Sequence, residues 1–336
     1  MKICQKKYPK DKKNIENMGE RMQGIIIENI ANLYKVQLIV KQEQDKKGTN
    51  QTTCQRNTET MVTYEATARG KFKKEEISPV VGDFVEFEVT EEEKKKAVIN
   101  EILERKVYVK RPKLANITQI VFVVSSQSPK PDLLMLDKQL AFAEFLGIKS
   151  FIVLNKTDLD KKTEFKEIKS IYEKIGYQVI ETEAKNRKGI ELLKKELKDN
   201  INAFSGNSGV GKSTLINGLF DQDITLEGEI SQRNKRGKNT TTAIRLYQLD
   251  KNTYIADTPG FSTFSIEEIE SKELAQYFVE FKEHMANCEF VGCTHIKEEN
   301  CGIKEAIKKG EISQARYDRF CKIYQQLKEK EEKKKW

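Results

Sequence analysis

The chain has 336 residues, of which 33% are charged and 38% hydrophobic, and its net charge is +8. No apolar run approaches the ~20 residues that cross a bilayer, which excludes a membrane-spanning protein, and the basic N-terminus lacks the apolar stretch of a secretory signal. We therefore expect a cytoplasmic chain of roughly two or three domains with no membrane partner, whose basic excess suits a solvated surface or a polyanionic partner.

Strand patterns occupy the first part of the chain. Residues 1–21 are polar and lack periodicity, and we predict a disordered extension there. Between 22 and 112, short runs alternate apolar and polar residues, and roughly four or five strands in such a length are typical of a small antiparallel barrel. Within this region 41–60 is almost devoid of apolar residues and is predicted to be a long flexible loop. The strand runs are 24–40, 63–72, 80–89 and 96–112.

From 113 to 265 buried strands alternate with amphipathic helices. This alternation is typical of a mostly parallel sheet with helices on both faces. Residues 243–260 are predicted to form a hairpin of two strands. The helices are predicted at 131–147, 163–176, 189–197 and after 211.

The phosphate-loop pattern is complete at 206–213, which reads GNSGVGKS. It follows a predicted strand and opens a predicted helix, as such loops do, which argues against a glycine-rich turn that binds nothing. Lys212 would neutralise the β- and γ-phosphates, Ser213 would offer a hydroxyl to Mg²⁺, and backbone N–H groups would face the phosphates. The predicted nucleotide contacts are Gly206, Asn207, Ser208, Gly209, Val210, Gly211, Lys212, Ser213 and Thr214.

Two later segments suit the γ-phosphate side of the same site. Asp257 opens the string DTPG, where it could support Mg²⁺ through water, and the N–H of Gly260 could meet the γ-phosphate. The same string also forms ordinary turns. In GKNTTT (237–242), Thr240 or Thr241 could complete the Mg²⁺ shell and sense the γ-phosphate, although a flexible polar loop is the alternative.

A guanine-reading pattern, NKTD, precedes the phosphate loop in the chain. Asn155, Lys156, Thr157 and Asp158 follow a buried strand, where ligands bind in open α/β sheets. The Asp158 carboxylate would accept two hydrogen bonds that guanine offers and adenine does not. Asn155 would brace the loops, and the stem of Lys156 would lie along the base. In EAK (183–185), Ala184 could offer its N–H to the guanine oxygen.

Residues 266–336 are predicted to be helical and charged, around a cluster of cysteine and histidine. Cys288, Cys293, His295 and Cys301 supply three thiolates and one imidazole, enough for a closed tetrahedral Zn²⁺ site. Such a site is structural, since it leaves no open position for chemistry. The alternative is three buried cysteines and a surface histidine. The last helix has an apolar stripe for docking, formed by Tyr317, Phe320, Ile323, Tyr324 and Leu327.

The motif order NKTD, EAK, GNSGVGKS, GKNTTT, DTPG resembles that of the circularly permuted GTPases. With a barrel before it and the Cys/His cluster after it, the chain resembles the ribosome small-subunit-dependent GTPase A family over roughly residues 22–327. The resemblance implies a multidomain protein with an OB-fold at 22–112, a permuted α/β GTPase domain at 113–265 and a mostly helical zinc-binding domain at 266–336. It also implies GTP or GDP, Mg²⁺ and one structural Zn²⁺.

Three positions depart from the usual patterns. Phe261 stands where many GTPases have a glutamine that orients the attacking water, and the family also has an apolar residue there. Asn239 stands where the family has a histidine that is a candidate for that role. An asparagine can hold a water but cannot accept its proton. Glu183 replaces the serine that usually opens the base-capping loop, whereas Ala184 and Lys185 are retained.

The resemblance implies a GTPase that binds the small ribosomal subunit, through rRNA and ribosomal proteins, and assists its late maturation, and we expect it to be a monomer. Lys212, Asp257, Asn239 and Thr241 are the predicted catalytic residues. The alternative is an rRNA-binding assembly scaffold that uses GTP as a switch with negligible turnover. A third possibility, an unrelated P-loop kinase, predicts a preference for adenine.

Overall fold

The computed structural model describes residues 21–39, 62–74, 77–160, 164–221, 244–257 and 266–334. The strands are β1 Met22–Ile30, β2 Leu33–Leu38, β3 Thr63–Ala68, β4 Phe84–Glu91, β5 Lys96–Ile102, β6 Tyr108–Lys110, β7 Lys113–Ala115, β8 Gln119–Ser125, β9 Lys149–Asn155, β10 Val179–Thr182, β11 Ile201–Ser205, β12 Arg245–Asp250 and β13 Thr253–Asp257. The α-helices are α1 Lys71–Lys74, α2 Leu133–Leu146, α3 Glu164–Lys174, α4 Ile190–Leu197, α5 Lys212–Phe220, α6 Gly302–Lys308 and α7 Gln314–Lys334.

Strands β1 to β5 form a closed five-stranded barrel. They follow the order β1-β2-β3-β5-β4, and β4 returns to pair with β1. Alternation along the strands sends one set of side chains inward, so that Ile25, Val36, Val85, Phe87 and Ile99 are fully buried. The predicted barrel is confirmed, and the run at 24–40 forms the antiparallel pair of β1 and β2.

The second part of the sheet follows the order β10-β9-β8-β11-β13-β12, in which all neighbours are parallel except β12 and β13. Every residue of β8 is buried, because α2 and α3 cover one face and α4 and α5 cover the other. The predicted α/β layering is therefore confirmed. Since parallel strands end at one edge, the loops after β8, β9, β10 and β11 gather there.

The barrel and the α/β part share one sheet. Strand β1 pairs with β12, so that eleven strands are hydrogen-bonded in sequence among the described residues. The predicted hairpin of β12 and β13 is present, with its turn between Asp250 and Thr253. The edge strand of the α/β part is thereby covered by a strand of the barrel.

The C-terminal part packs on α2 around an aromatic core. Phe278, Phe281 and Phe320 are buried with ring centroids 4.9–5.3 Å apart, and α7 contributes the predicted apolar stripe. The helical segments before α6 are short 3-10 helices, and the α-helices of this part follow the Cys/His cluster. These 3-10 helices are Ile266–Glu268, Ser271–Tyr277, Val279–Phe281 and Met285–Asn287.

A buried charge network joins this part to α2. Asp137 is fully buried and accepts hydrogen bonds from Arg316 and Arg319 of α7, and from the Tyr172 hydroxyl at 2.6 Å. Arg316, only 1% exposed, also donates to Glu280. Each buried charge therefore has an opposite partner, which buried charges require. No helix among the described residues has the length and apolar character needed to cross a membrane.

Candidate nucleotide-binding site and metal cluster

The phosphate loop joins β11 to α5 through glycines that no larger residue could replace without strain. Gly206 has φ 147°, and a Cβ there would lie 2.3 Å from the carbonyl oxygen of Val123. Gly211 has φ 102°, and a Cβ there would lie 2.3 Å from Nδ2 of Asn155. Both turns depend on the missing side chain. They bring the backbone round to the N-terminus of α5, where anions bind readily.

Lys212 lies within this loop. Its Nζ donates to the carbonyl oxygens of Gly206 at 2.6 Å and Asn207 at 3.0 Å. Burial lowers the pKa of Lys212, and the nearby negative charge of Asp257 acts in the opposite direction. The loop thus holds a cation where a phosphate could bind, with the carboxylate at the end of β13 close by.

Asn155 connects three loops through its side-chain amide. It is 1% exposed. Its Nδ2 donates to the carbonyl oxygen of Val210 at 2.9 Å, and its Oδ1 accepts from the hydroxyl of Thr182 at 3.0 Å and the N–H of Ala184 at 3.2 Å. These hydrogen bonds join the loop after β9 to the phosphate loop and to the end of β10. The Ala184 N–H, predicted to meet the guanine oxygen, already donates to Asn155, so guanine would have to share it.

Lys156 lies at the junction of two loops, in a left-handed conformation with φ 65°. Its Nζ donates to the carbonyl oxygens of Ser128 at 2.6 Å and Gly209 at 2.7 Å. The hydroxyl of Ser126 donates back to the carbonyl oxygen of Lys156 at 2.6 Å. Sequence reasoning did not identify the loop after β8 as part of the site, although its run SQSPKP directly follows a buried strand.

Glu183 forms hydrogen bonds within its own loop and with the loop after β9. It accepts hydrogen bonds from Lys188 at 2.7 Å, Asn186 at 3.1 Å and the Thr157 hydroxyl at 3.2 Å. These donors, Lys188 first, lower the pKa of Glu183. The departure from the usual serine therefore adds a contact between the two base-side loops. Asp158 is exposed on the 3-10 turn that follows β9, at the open edge of the sheet.

The predicted Mg²⁺ donors lie around Lys212. Ser213 is in the first turn of α5, and Asp257 ends β13. A hydroxyl and a carboxylate are oxygen donors of the kind Mg²⁺ prefers, so these residues fit the ion. The other predicted residues of this side, Asn239, Thr240, Thr241 and Gly260, lie outside the described residues.

The Cys/His cluster is assembled as predicted. The ligand atoms of Cys288, Cys293, His295 and Cys301 all lie within 4.8 Å of one another. Nδ1 of His295 is 3.5 Å from Sγ of Cys288 and 3.4 Å from Sγ of Cys301. Ligand atoms of a tetrahedral Zn²⁺ site are about 3.5–3.8 Å apart, so the set fits this ion. Burial, with the neighbouring thiols, raises the pKa of Cys293 to about 12, so its thiolate needs a cation at neutral pH.

Two residues that sequence reasoning missed brace the cluster. The Tyr317 hydroxyl donates to the carbonyl oxygen of His295 at 2.7 Å. Burial opposes ionisation of Glu298, but N–H groups, Thr294 first, donate to it and lower its pKa to about 2. A carboxylate that accepts several backbone hydrogen bonds fixes the loop between the ligands.

The fold and this site define a circularly permuted P-loop GTPase, since the strand with NKTD precedes the strand with the phosphate loop in one parallel sheet. A family model described as RsgA GTPase matches residues 102–267, and one described as RsgA N-terminal domain matches residues 56–99. A protein named small ribosomal subunit biogenesis GTPase RsgA from Alkaliphilus metalliredigens is 40% identical over 79% of this chain and 91% of its own length. The chain belongs to the RsgA GTPase family and is a GTP hydrolase.

A further relative and two solved structures are also similar to this chain. The protein of the same name from Ruminiclostridium cellulolyticum is 38% identical over 91% of this chain and 94% of its own. The crystal structure of YjeQ from Thermotoga maritima matches with a TM-score of 0.74 and 33% identity, covering 92% of this chain and 99% of that one. YloQ, described as a circularly permuted GTPase, matches with a TM-score of 0.71 and 26% identity over 93% of this chain and 96% of that one.

Proposed function

We propose that this GTPase binds the small ribosomal subunit, assists its late maturation, and hydrolyses GTP when the subunit stimulates it. The observation that carries the nucleotide part is the set of three hydrogen bonds of Asn155, which bring the NKTD, EAK and phosphate loops to one edge of the sheet. The subunit part is supported by relatives whose name states small ribosomal subunit biogenesis.

On the base side, we propose that Asp158 selects guanine. Its carboxylate is exposed at the open edge, next to a loop that Asn155 and Lys156 fix on both sides. A carboxylate accepts the two donors of guanine and repels the acceptor that adenine offers at the same edge. The hydroxyl of Thr157 donates to Glu183, which fixes the backbone of the loop that carries Asp158.

On the phosphate side, Lys212 and the N–H groups at the start of α5 would stabilise charge on the β- and γ-phosphates. Mg²⁺, when bound, would supply positive charge that neutralises the phosphates. Ser213 and a threonine of 237–242, Thr240 or Thr241, would bind the ion, with Asp257 in support. Lys212→Ala removes the cation that the loop positions, and normal turnover of this variant would contradict the assignment.

We propose that the isolated protein positions the attacking water poorly and that the bound subunit helps to orient this water. Asn239 and Phe261 are the sequence features behind this step. An asparagine can orient water without taking its proton, so a low rate for the isolated protein is expected. The same residues favour the second candidate function, a GTP-switched rRNA-binding scaffold with negligible turnover.

The partner surface we propose is basic. The net charge is +8, and Arg111 and Lys113 are exposed on the hairpin of β6 and β7, beside Lys110, which pairs with Glu268 at 3.0 Å. Such cations suit rRNA phosphates, and binding should weaken as salt rises because counterions are released. The protein would act as a cytoplasmic monomer. A binding affinity independent of salt would contradict phosphate contacts.

The test is phosphate release from GTP by the purified protein, with and without small ribosomal subunits. Stimulation supports the proposed enzyme. Binding without any release above background supports the scaffold instead. Preference for ATP over GTP would contradict both.

A further inference from the structure

A row of alternating charge crosses four adjacent strands. In the order β2, β1, β12, β13, the directly opposed residues are Lys35, Glu28, Arg245 and Asp257. Residues directly opposite each other in antiparallel pairs project from the same face of the sheet. The row therefore begins on the barrel and ends at the carboxylate proposed to support Mg²⁺.

Glu28 is the centre of this row and is only 5% exposed. Its Oε1 accepts from Nη2 of Arg245 at 2.5 Å and from Nε at 3.1 Å, and its Oε2 lies 2.6 Å from Nζ of Lys35. Ile27 is an extra residue in the pairing of β1 with β2, and this bulge places Glu28 opposite both cations. Burial opposes its ionisation, but Lys35 and Arg245 outweigh burial and lower the pKa of Glu28.

In the strand register, Arg245 thus stands between two acidic residues. Glu28 is on one side, and Asp257 is its direct partner on the other. The guanidinium also lies over the ring of Tyr247, 5.8 Å from the ring centroid. An arginine in this position would form an ion pair with Asp257 if its partner on the barrel were removed, because the side chains of opposed residues are within reach.

We propose that Glu28 is a positioning residue that holds Arg245 away from Asp257, so that the guanidinium does not compete with Mg²⁺ for that carboxylate. The barrel thereby contributes to the metal side of the nucleotide site, although in the sequence it is remote from the motifs that bind the base and the phosphates. This inference rests on the proposed Mg²⁺ role of Asp257.

A purely structural role for the ion pair of Glu28 and Arg245 would give different results for its variants. The bridge could simply hold β1 against β12, in which case loss of Glu28 or of Arg245 would lower stability alike and leave the Mg²⁺ requirement unchanged. The proposal instead predicts opposite behaviour of the two single variants. Glu28→Gln releases the competing cation, whereas Arg245→Gln removes it.

The experiment measures binding of a fluorescent GDP analogue to the full chain while free Mg²⁺ is varied, which does not depend on hydrolysis. For Glu28→Gln we expect the half-saturating Mg²⁺ concentration to rise about threefold or more, the scale of one charge pair near the surface. Arg245→Gln and the double variant Glu28→Gln/Arg245→Gln should stay within about twofold of wild type. Lys35→Gln, which removes the other partner of Glu28, is the matched control and should behave as wild type.

Circular dichroism melting establishes that each variant is folded at the assay temperature. If Glu28→Gln does not fold, Glu28→Asp replaces it, since the shorter carboxylate loosens the bridge and should shift the Mg²⁺ curve in the same direction. If nucleotide binding by the wild type depends on Mg²⁺ and the Glu28 variant gives the same Mg²⁺ curve, the inference is wrong and the proposed metal site stands. Wild-type nucleotide binding that ignores Mg²⁺ overturns the proposed metal site and the inference with it.

Discussion

The side-chain amide of Asn155 donates to the carbonyl oxygen of Val210 over 2.9 Å, across 55 positions of the chain. Their strands, β9 and β11, are separated in the sheet only by β8. Because all three strands are parallel, the two loops meet at one edge whichever strand comes first in the chain. A circular permutation therefore leaves this contact intact, which is why motifs in reversed order still form one site.

Asn155→Ala should weaken GDP binding at least about tenfold and lower the melting temperature, because it leaves buried partners without hydrogen bonds at a cost of about 1–3 kcal/mol. Calorimetric titration with GDP measures the first effect, and thermal unfolding measures the second. Asn186→Ala is the control, since the side chain of Asn186 bonds only to Oε2 of Glu183 among the described contacts. Equal affinities of wild type and Asn155→Ala would remove this residue from the site.

Asp158→Asn should shift nucleotide preference from guanine toward xanthine. The amide offers a donor where the carboxylate offered an acceptor, and xanthine has an oxygen in place of the exocyclic amine of guanine. Competition between GDP and XDP for a fluorescent nucleotide reports the change, which should exceed about tenfold in the ratio of affinities. An unchanged ratio would mean that another residue reads the base.

Asp137→Ala should be one of the most destabilising single changes in the protein. It leaves the buried Arg316 and the partly buried Arg319 without their shared carboxylate, and breaking such a buried pair costs about 3–5 kcal/mol. Urea unfolding measures the loss. Lys282→Ala, which breaks the more exposed pair with Glu144, should change stability by less than about 1 kcal/mol. Similar midpoints for the two variants would show that the network contributes little.

The purified protein should contain one Zn²⁺ per chain and lose it on acidification. Binding requires deprotonated thiols, and the pKa of Cys293 is raised by burial to about 12, so metal affinity rises with pH and falls as pH is lowered. Metal analysis after dialysis across a pH series follows this, with Cys301→Ser as the ligand variant and Cys321→Ser as the control. A folded protein that is free of metal at neutral pH would rule out the structural role.

Sequence patterns predict the layout well where chemistry is local. The phosphate loop, NKTD and the Cys/His spacing each place several ligands within one short segment, and the barrel follows from alternation. Sequence patterns miss the contacts between residues that are distant in the sequence. Nothing in the strand containing Glu28 indicates a partner at Arg245, and α2 looks like an ordinary helix although Asp137 anchors the C-terminal part. The sequence after 265 predicts helical structure but not its type, and short 3-10 helices pack around the aromatic core.

The switch-side residues Asn239, Thr240, Thr241 and Gly260 lie outside the described residues, and their roles stay predictions from the sequence. In the sequence, the segment after 257 leads into the part that contains the Cys/His cluster, and we expect a signal from the nucleotide to pass along it. The structure adds a second connection, since α2 contacts the C-terminal part through Asp137 and the strand before the phosphate loop through Gln139, whose Nε2 donates to Ser205 at 3.0 Å.

The most direct test of the central claim is the rate of GTP hydrolysis by the full chain, measured with and without purified small ribosomal subunits under multiple-turnover conditions. The account predicts a low rate for the protein alone and at least about a tenfold increase with small subunits, lost in Lys212→Ala and absent with large subunits. An equal rate with and without small subunits, in a protein shown to bind GTP, would contradict it.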